Sequence, residues 1–235
     1  MAKKHNERKN ALRNAVSLIT LIDNTSPVSE QYRTIRSNIQ FASSADKRIQ
    51  TIVVTSSGPG EGKSTTAANL AVVFANSGQR VLLVDADMRK PTVYQTFCLS
   101  NSVGLSTVLS TTQSVLEAAQ KTDVENLSVL TSGPIPPYPS ELLGSARMEQ
   151  VLAEARNLYD IILFDMPPIV AVTDAQIMAS KVDGTILVVR ENVSRKESVI
   201  KAKDLLRMAQ ARTLGVVYNG AAQSKDQGYY EYYEK

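Results

Sequence analysis

Residues 51–65, TIVVTSSGPGEGKST, run from an apolar stretch through a glycine-rich turn into a lysine and two hydroxyl residues. Successive backbone N–H groups of such a turn converge on phosphate oxygens, so Gly58, Pro59, Gly60, Glu61, Gly62, Lys63, Ser64 and Thr65 form a candidate phosphate cradle. Lys63 is placed to reach the outer phosphates as a point charge, and Ser64 offers its hydroxyl to a divalent ion. Ser57 stands where the common pattern GxxxxGK[ST] begins with glycine, while Gly58, Gly60 and Gly62 keep the loop permissive. The chemistry implied is binding of a nucleoside triphosphate.

Two further apolar runs end in carboxylates. In VLLVDADMRKP, strand alternation points Asp85 and Asp87 to the same side, and Asp165 closes the run IILFD before Pro167 and Pro168. Each alone reads as a turn former or helix cap. Together, at loop positions facing Lys63 and Ser64, they suit Mg²⁺, a hard ion that takes oxygen ligands and bridges phosphates. The remaining acid–base inventory is narrow. His5, the single histidine, lies in a basic arm, and Cys98, the single cysteine, has no histidine partner for nucleophilic chemistry. A proton taken from an acceptor must go to an aspartate.

The elements that position these residues alternate. Strands are expected near 50–56, 80–85, 127–131, 160–165, 184–190 and 213–219, with helices near 64–77, 141–157, 173–181 and 195–210. A further helix begins at Ser26 and Pro27, with Val28, Tyr32, Ile35 and Ile39 at helical spacing. The strands are near-continuous apolar runs, as in a mostly parallel sheet covered by helices on both faces. The fold class is α/β, doubly wound, with ligands at the carboxyl ends of the strands. The organisation expected is a basic arm over 1–27, one domain over 28–219 and a flexible tyrosine-rich tail over 220–235. The first 14 residues carry a net charge of +4 and the remainder −1, so the domain lacks a nucleic-acid surface, and the arm reads as a solvated terminus or a contact with anionic lipid. A lone cysteine fits a reducing compartment. The early apolar run Ala15 to Ile22 is far short of a membrane span.

The motifs SSGPGEGKST, LLVDADMRKP and ILFDMPP together resemble those of the bacterial tyrosine kinases of capsule and exopolysaccharide synthesis, the autokinase family with a P-loop NTPase fold. The DxDxR element, with Asp85, Asp87 and Arg89, is the specific one; Glu30, Arg33 and Arg36 match the family's ExxRxxR, and Tyr229, Tyr230, Tyr232 and Tyr233 its terminal tyrosine cluster. The resemblance implies ATP and Mg²⁺. It gives Lys63 the transferring phosphoryl group, Ser64, Asp87 and Asp165 the metal, and Asp85 the proton of the tyrosine hydroxyl. Asn219 resembles the residue that related P-loop ATPases use against the adenine edge, and a turn-forming asparagine fits equally. Glu30, Arg33 and Arg36 would contact a neighbouring subunit in a ring, or else form a solvated charged face. The tail tyrosines would be phosphoacceptors. Implied partners are further copies of the chain, a membrane activator of the polysaccharide co-polymerase type, protein tyrosine substrates and a cognate tyrosine phosphatase, with the kinase cytoplasmic and recruited to the inner face of the membrane. The alternative is a P-loop ATPase of the partition or positioning type without kinase activity. Such proteins usually carry a lysine where Gly58 stands, and their membrane-binding members end in a basic amphipathic helix, unlike YYEYYEK.

Overall fold

The computed structural model describes residues 17–43 and 48–221. Seven strands form one sheet in the order β3-β4-β2-β5-β1-β6-β7: β1 is Thr51–Ser56, β2 Val81–Asp85, β3 Gln120–Lys121, β4 Leu127–Leu130, β5 Ile161–Asp165, β6 Gly184–Arg190 and β7 Thr213–Asn219. All pairings are parallel except that of β3 with β4. β1 lies between β5 and β6, and the register sets Asp85 beside Asp165.

The alternation of strand side chains fills two cores. Ile52, Val54, Leu83 and Leu163 face one layer; Val53, Leu82, Val84 and Phe164 face the other. The first layer is covered by α2 (Pro27–Ala42) and α3 (Lys63–Ala75). Every residue of α3 from Thr66 to Ala75 is buried, which explains its near-uniform apolarity after the hydroxyl residues. Opposite lie α5 (Leu105–Ser110), α7 (Pro139–Gly144), α8 (Ala146–Leu158) and α9 (Asp174–Ala179), with α10 (Lys196–Met208) beside β6 and β7 in sequence. The stretch expected as one helix over 141–157 is two. Ser145 is extended and its hydroxyl accepts from the Met148 amide, so it caps α8 and separates it from α7.

The expected arm also ends sooner than residue 27. The short helix α1 (Ile19–Ile22) is docked on α3, where buried Asn69 accepts from Thr20 N and Oγ1 (3.1 and 2.9 Å) and donates to Ser17 O (2.9 Å). At the amino ends of the strands Asp183 accepts from the Gln50 and Thr51 amides and from Arg156, which fixes where β1 begins. Burial raises the Asp183 pKa, but these donors outweigh it and hold the carboxyl below its ordinary value.

Candidate active site

The loop after β1 is shaped from within. Glu61 is buried and folds back on the loop, accepting from Ser57 N at 2.9 Å and Ser57 Oγ at 2.6 Å. Ser57 therefore anchors the turn by a hydroxyl where the common pattern has glycine, and the Glu61 side chain faces the protein. Gly60 and Gly62 hold φ of 75° and 96°, a region that a Cβ would disfavour. Gly62 precedes α3 with no side-chain cap, which leaves the first-turn amides of a buried helix turned toward the carboxyl end of the sheet.

Lys63, the first residue of α3, reaches into the group of carboxylates. Its Nζ lies 2.9 Å from Asp87 Oδ2, 3.4 Å from Asp165 Oδ1 and 3.1 Å from Ser64 Oγ. Burial alone would lower the lysine pKa, but Asp165 and Asp87 more than offset it, so Lys63 stays an ammonium. Asp165 is fully buried, and that burial pushes its pKa up against the opposing pull of Lys63 and Ser64. Asp85, pushed up to about 8 chiefly by burial and by Asp165, has a second engagement that the sequence did not reveal. Its Oδ2 accepts from the Thr92 and Val93 amides at 3.1 and 3.0 Å, capping the short helix α4 (Val93–Thr96). Asp85 Oδ1 and Asp165 Oδ2 are buried without a partner. Orphaned carboxylate oxygens beside a lysine and a hydroxyl are the donor set a hard cation and phosphate would complete. Among the described residues no three His, Cys, Asp or Glu side chains group as a self-sufficient metal centre. A Mg²⁺ here would share its coordination with phosphate oxygens and water, its usual habit.

Three residues beyond the motifs shape the same loops. Arg190 Nη1 donates to Gly60 O at 3.0 Å, and Asn219 Nδ2 to Glu61 O at 3.0 Å. A Cβ on Gly62 would fall 2.1 Å from Asn219 Nδ2, so Asn219 is packed on the cradle itself. Arg89 is paired with buried Asp174. Sequence spacing could not find Arg190 or Asp174, because each meets its partner only through the sheet. The ExxRxxR residues divide. Glu30 and Arg33 pair on the surface of α2, whereas Arg36 Nη1 donates to Val73 O of α3 at 3.2 Å, within the chain. Tyr229, Tyr230, Tyr232 and Tyr233 lie outside the described residues.

A family profile described as AAA domain matches residues 49–201. The tyrosine-protein kinase YwqD of Bacillus subtilis is 50% identical over 216 residues, covering 91% of each chain. The chain belongs to the bacterial tyrosine-protein kinases. The kinase is also 43% identical to the putative tyrosine-protein kinase CapB of Staphylococcus aureus, over 88% of this chain and 91% of that one. Its fold matches the crystal structure of the chimerical protein CapA2B2 with a TM-score of 0.82 and 42% identity, over 87% of this chain and 91% of that one. The mostly parallel sheet is thus that of a P-loop NTPase-like tyrosine kinase domain.

Proposed function

We propose that this kinase transfers the γ-phosphoryl group of ATP, with Mg²⁺, to tyrosines of its own C-terminal cluster in a neighbouring copy, and that it regulates capsule or exopolysaccharide synthesis. The observation that carries the chemistry is the convergence on Lys63 of three buried carboxylates, two of them with an unpartnered oxygen. Amides of the turn and of the first turn of α3 bind the phosphates, and Lys63 leaves its carboxylates to follow the transferring group. Ser64, Asp87 and Asp165 would hold the metal, which supplies charge neutralisation between the phosphates. Asp85, once ionised, would accept the phenolic proton, and the pKa of about 8 makes that ionised form a stronger base than an ordinary carboxylate. Asn219, packed on the cradle through Glu61 and Gly62, would meet the base of a nucleotide bound there. Phosphoryl transfer asks mainly for position and charge, which this set provides.

Tyr229, Tyr230, Tyr232 and Tyr233 would be the acceptors. Glu30 and Arg33 would meet the next subunit of a ring, with Arg36 bracing their helix on α3. No helix among the described residues is long and apolar enough to cross a membrane. Recruitment to the inner face would come through a membrane activator. The chimeric construction of the matched CapA2B2 supports a two-protein arrangement. A cognate phosphatase would reset the tail. The test mixes a Lys63→Met chain, with its tail intact, and an active chain whose four tail tyrosines are Phe. Label from γ-labelled ATP on the Lys63→Met chain supports transfer between copies; label on neither chain, while the parent labels itself, contradicts it.

A further inference from the structure

Asp165 ends β5 and Asp87 lies two residues past β2, where Ala86 N donates to Asp165 O at 2.9 Å; the loops that continue from the two strands need a further tie. The loop after β2 is pinned at Met88, fully buried, and by Asp87, whose Oδ1 accepts from the Lys90 amide at 3.1 Å. The loop after β5 is pinned where Ile169 N donates to Ser56 O at 2.9 Å and where Thr55 Oγ1 donates to Pro167 O at 2.8 Å, and it ends at Asp174, the first residue of α9. Among the described residues, a charged contact links the two loops. Arg89 Nε donates to Asp174 Oδ2 and Arg89 Nη2 to Asp174 Oδ1, both at 2.9 Å, and the Asp174 side chain is 0% exposed. A buried carboxylate is held there only if it is paired, and a guanidinium fork fixes both distance and plane.

We infer that Asp174 and Arg89 are positioning residues: a strut that ties the loop of Asp87 to the loop of Asp165 and sets the opening in which the two carboxylates receive a Mg²⁺–nucleotide. The contacts close a circuit: Lys63 joins Asp87 and Asp165 on the inside, and Arg89 joins Asp174 on the outside, two residues beyond Asp87. Released from the strut, the loop keeps its backbone anchors, Ala86 N to Asp165 O among them, but loses the side-chain tie that limits how far the Asp87 carboxylate moves from that of Asp165. Outer partners of this kind cost 10–100-fold in metal affinity or activity when removed. The inference rests on the reading of Asp87 and Asp165 as the metal-side carboxylates.

The test measures binding of a fluorescent ADP analogue with and without Mg²⁺, which needs no turnover, beside melting temperature and the rate of tyrosine labelling. The variants are Asp174→Asn, Arg89→Gln, their double and Arg89→Lys. Folded variants should bind ADP without Mg²⁺ as the parent does, lose most of the affinity that Mg²⁺ adds, and label about 10–100-fold more slowly. The double should be no worse than the poorer single, since one strut is broken once. Arg89→Lys, with charge but no fork, should fall between. Arg89 is 39% exposed, so its variants fold even if Asp174→Asn does not, and they carry the test alone. An unchanged Mg²⁺ gain in the Arg89 variants, or a double equal to the product of its singles, overturns the strut. A parent whose ADP affinity ignores Mg²⁺ overturns the metal reading instead, and the strut's stated role with it.

Discussion

Replacing Asp85 with asparagine should make the nucleotide-free kinase more stable and less active. Asp85 is buried beside Asp165 and ionises near 8 in the folded chain, against about 4 in the unfolded one. The native state therefore keeps a proton that the unfolded state has already released, and stability falls as pH rises from about 4 to about 8. For an isolated group those two values would set a ceiling of roughly 5 kcal/mol. The attraction to Lys63 is already contained in the folded-state value; relaxation and water entering the open site lower the ceiling, leaving a gain of about 2 kcal/mol for the variant at pH 8, or about 4–8 °C in Tm. The asparagine carbonyl still accepts from the Thr92 and Val93 amides, so the cap on α4 survives. Thermal melts of parent and variant between pH 5 and pH 8, without nucleotide or metal, should diverge as pH rises. An amide cannot take the tyrosine proton, so transfer should slow by about 10²–10⁴ while ADP binding persists. A variant that melts below the parent at pH 8, or a difference that does not depend on pH, would refute the electrostatic reasoning.

Lys63→Met should reduce tyrosine labelling by more than about 10²-fold, and its Tm should drop further at pH 8 than at pH 5, because the carboxylates lose their counter-charge only when ionised. Gly62→Ala should weaken ADP binding at least about tenfold, through the positive φ and the contact with Asn219; adding Asn219→Ala should recover part of the loss, seen by titration calorimetry. Asp160, held down to about 2 by the Arg80 side chain and amide, contributes stability that is complete above about pH 4 and lost as pH falls through 2. Asp160→Asn should accordingly melt below the parent at pH 7 and converge with it near pH 2.

The main strands of the sheet were legible because both of its faces are buried: β2 and β5 read as unbroken apolar runs, and the structure places them within a residue of expectation. β3, two residues long and antiparallel, has no pattern to read, and α4 and α6 (Val115–Ala118) are single turns too short to show a helical period. The candidate site was legible where its parts are local: the loop from Gly58 to Thr65 and the carboxylates at or just beyond the strand ends, which the structure brings together around Lys63. It was not legible where the fold supplies the partner. Nothing in the spacing says that Glu61 turns inward to Ser57, that Arg190 holds Gly60, or that Asp174, 85 residues from Arg89, fixes the loop of Asp87. Strand alternation put Asp85 and Asp87 on one side, but β2 ends at Asp85, and the two carboxylates take different tasks, one a cap and one an ion pair.

The central claim is that a cradle, a lysine and strand-end carboxylates deliver a phosphoryl group to tyrosine of the same protein. Incubating the purified chain with γ-labelled ATP and Mg²⁺, then separating protein from free phosphate and mapping the label by mass spectrometry, tests it directly. The account predicts phosphotyrosine within residues 229–233, absent from Lys63→Met and slowed in Asp85→Asn. Release of labelled phosphate with no labelled tyrosine would contradict it and return the site to a plain ATPase.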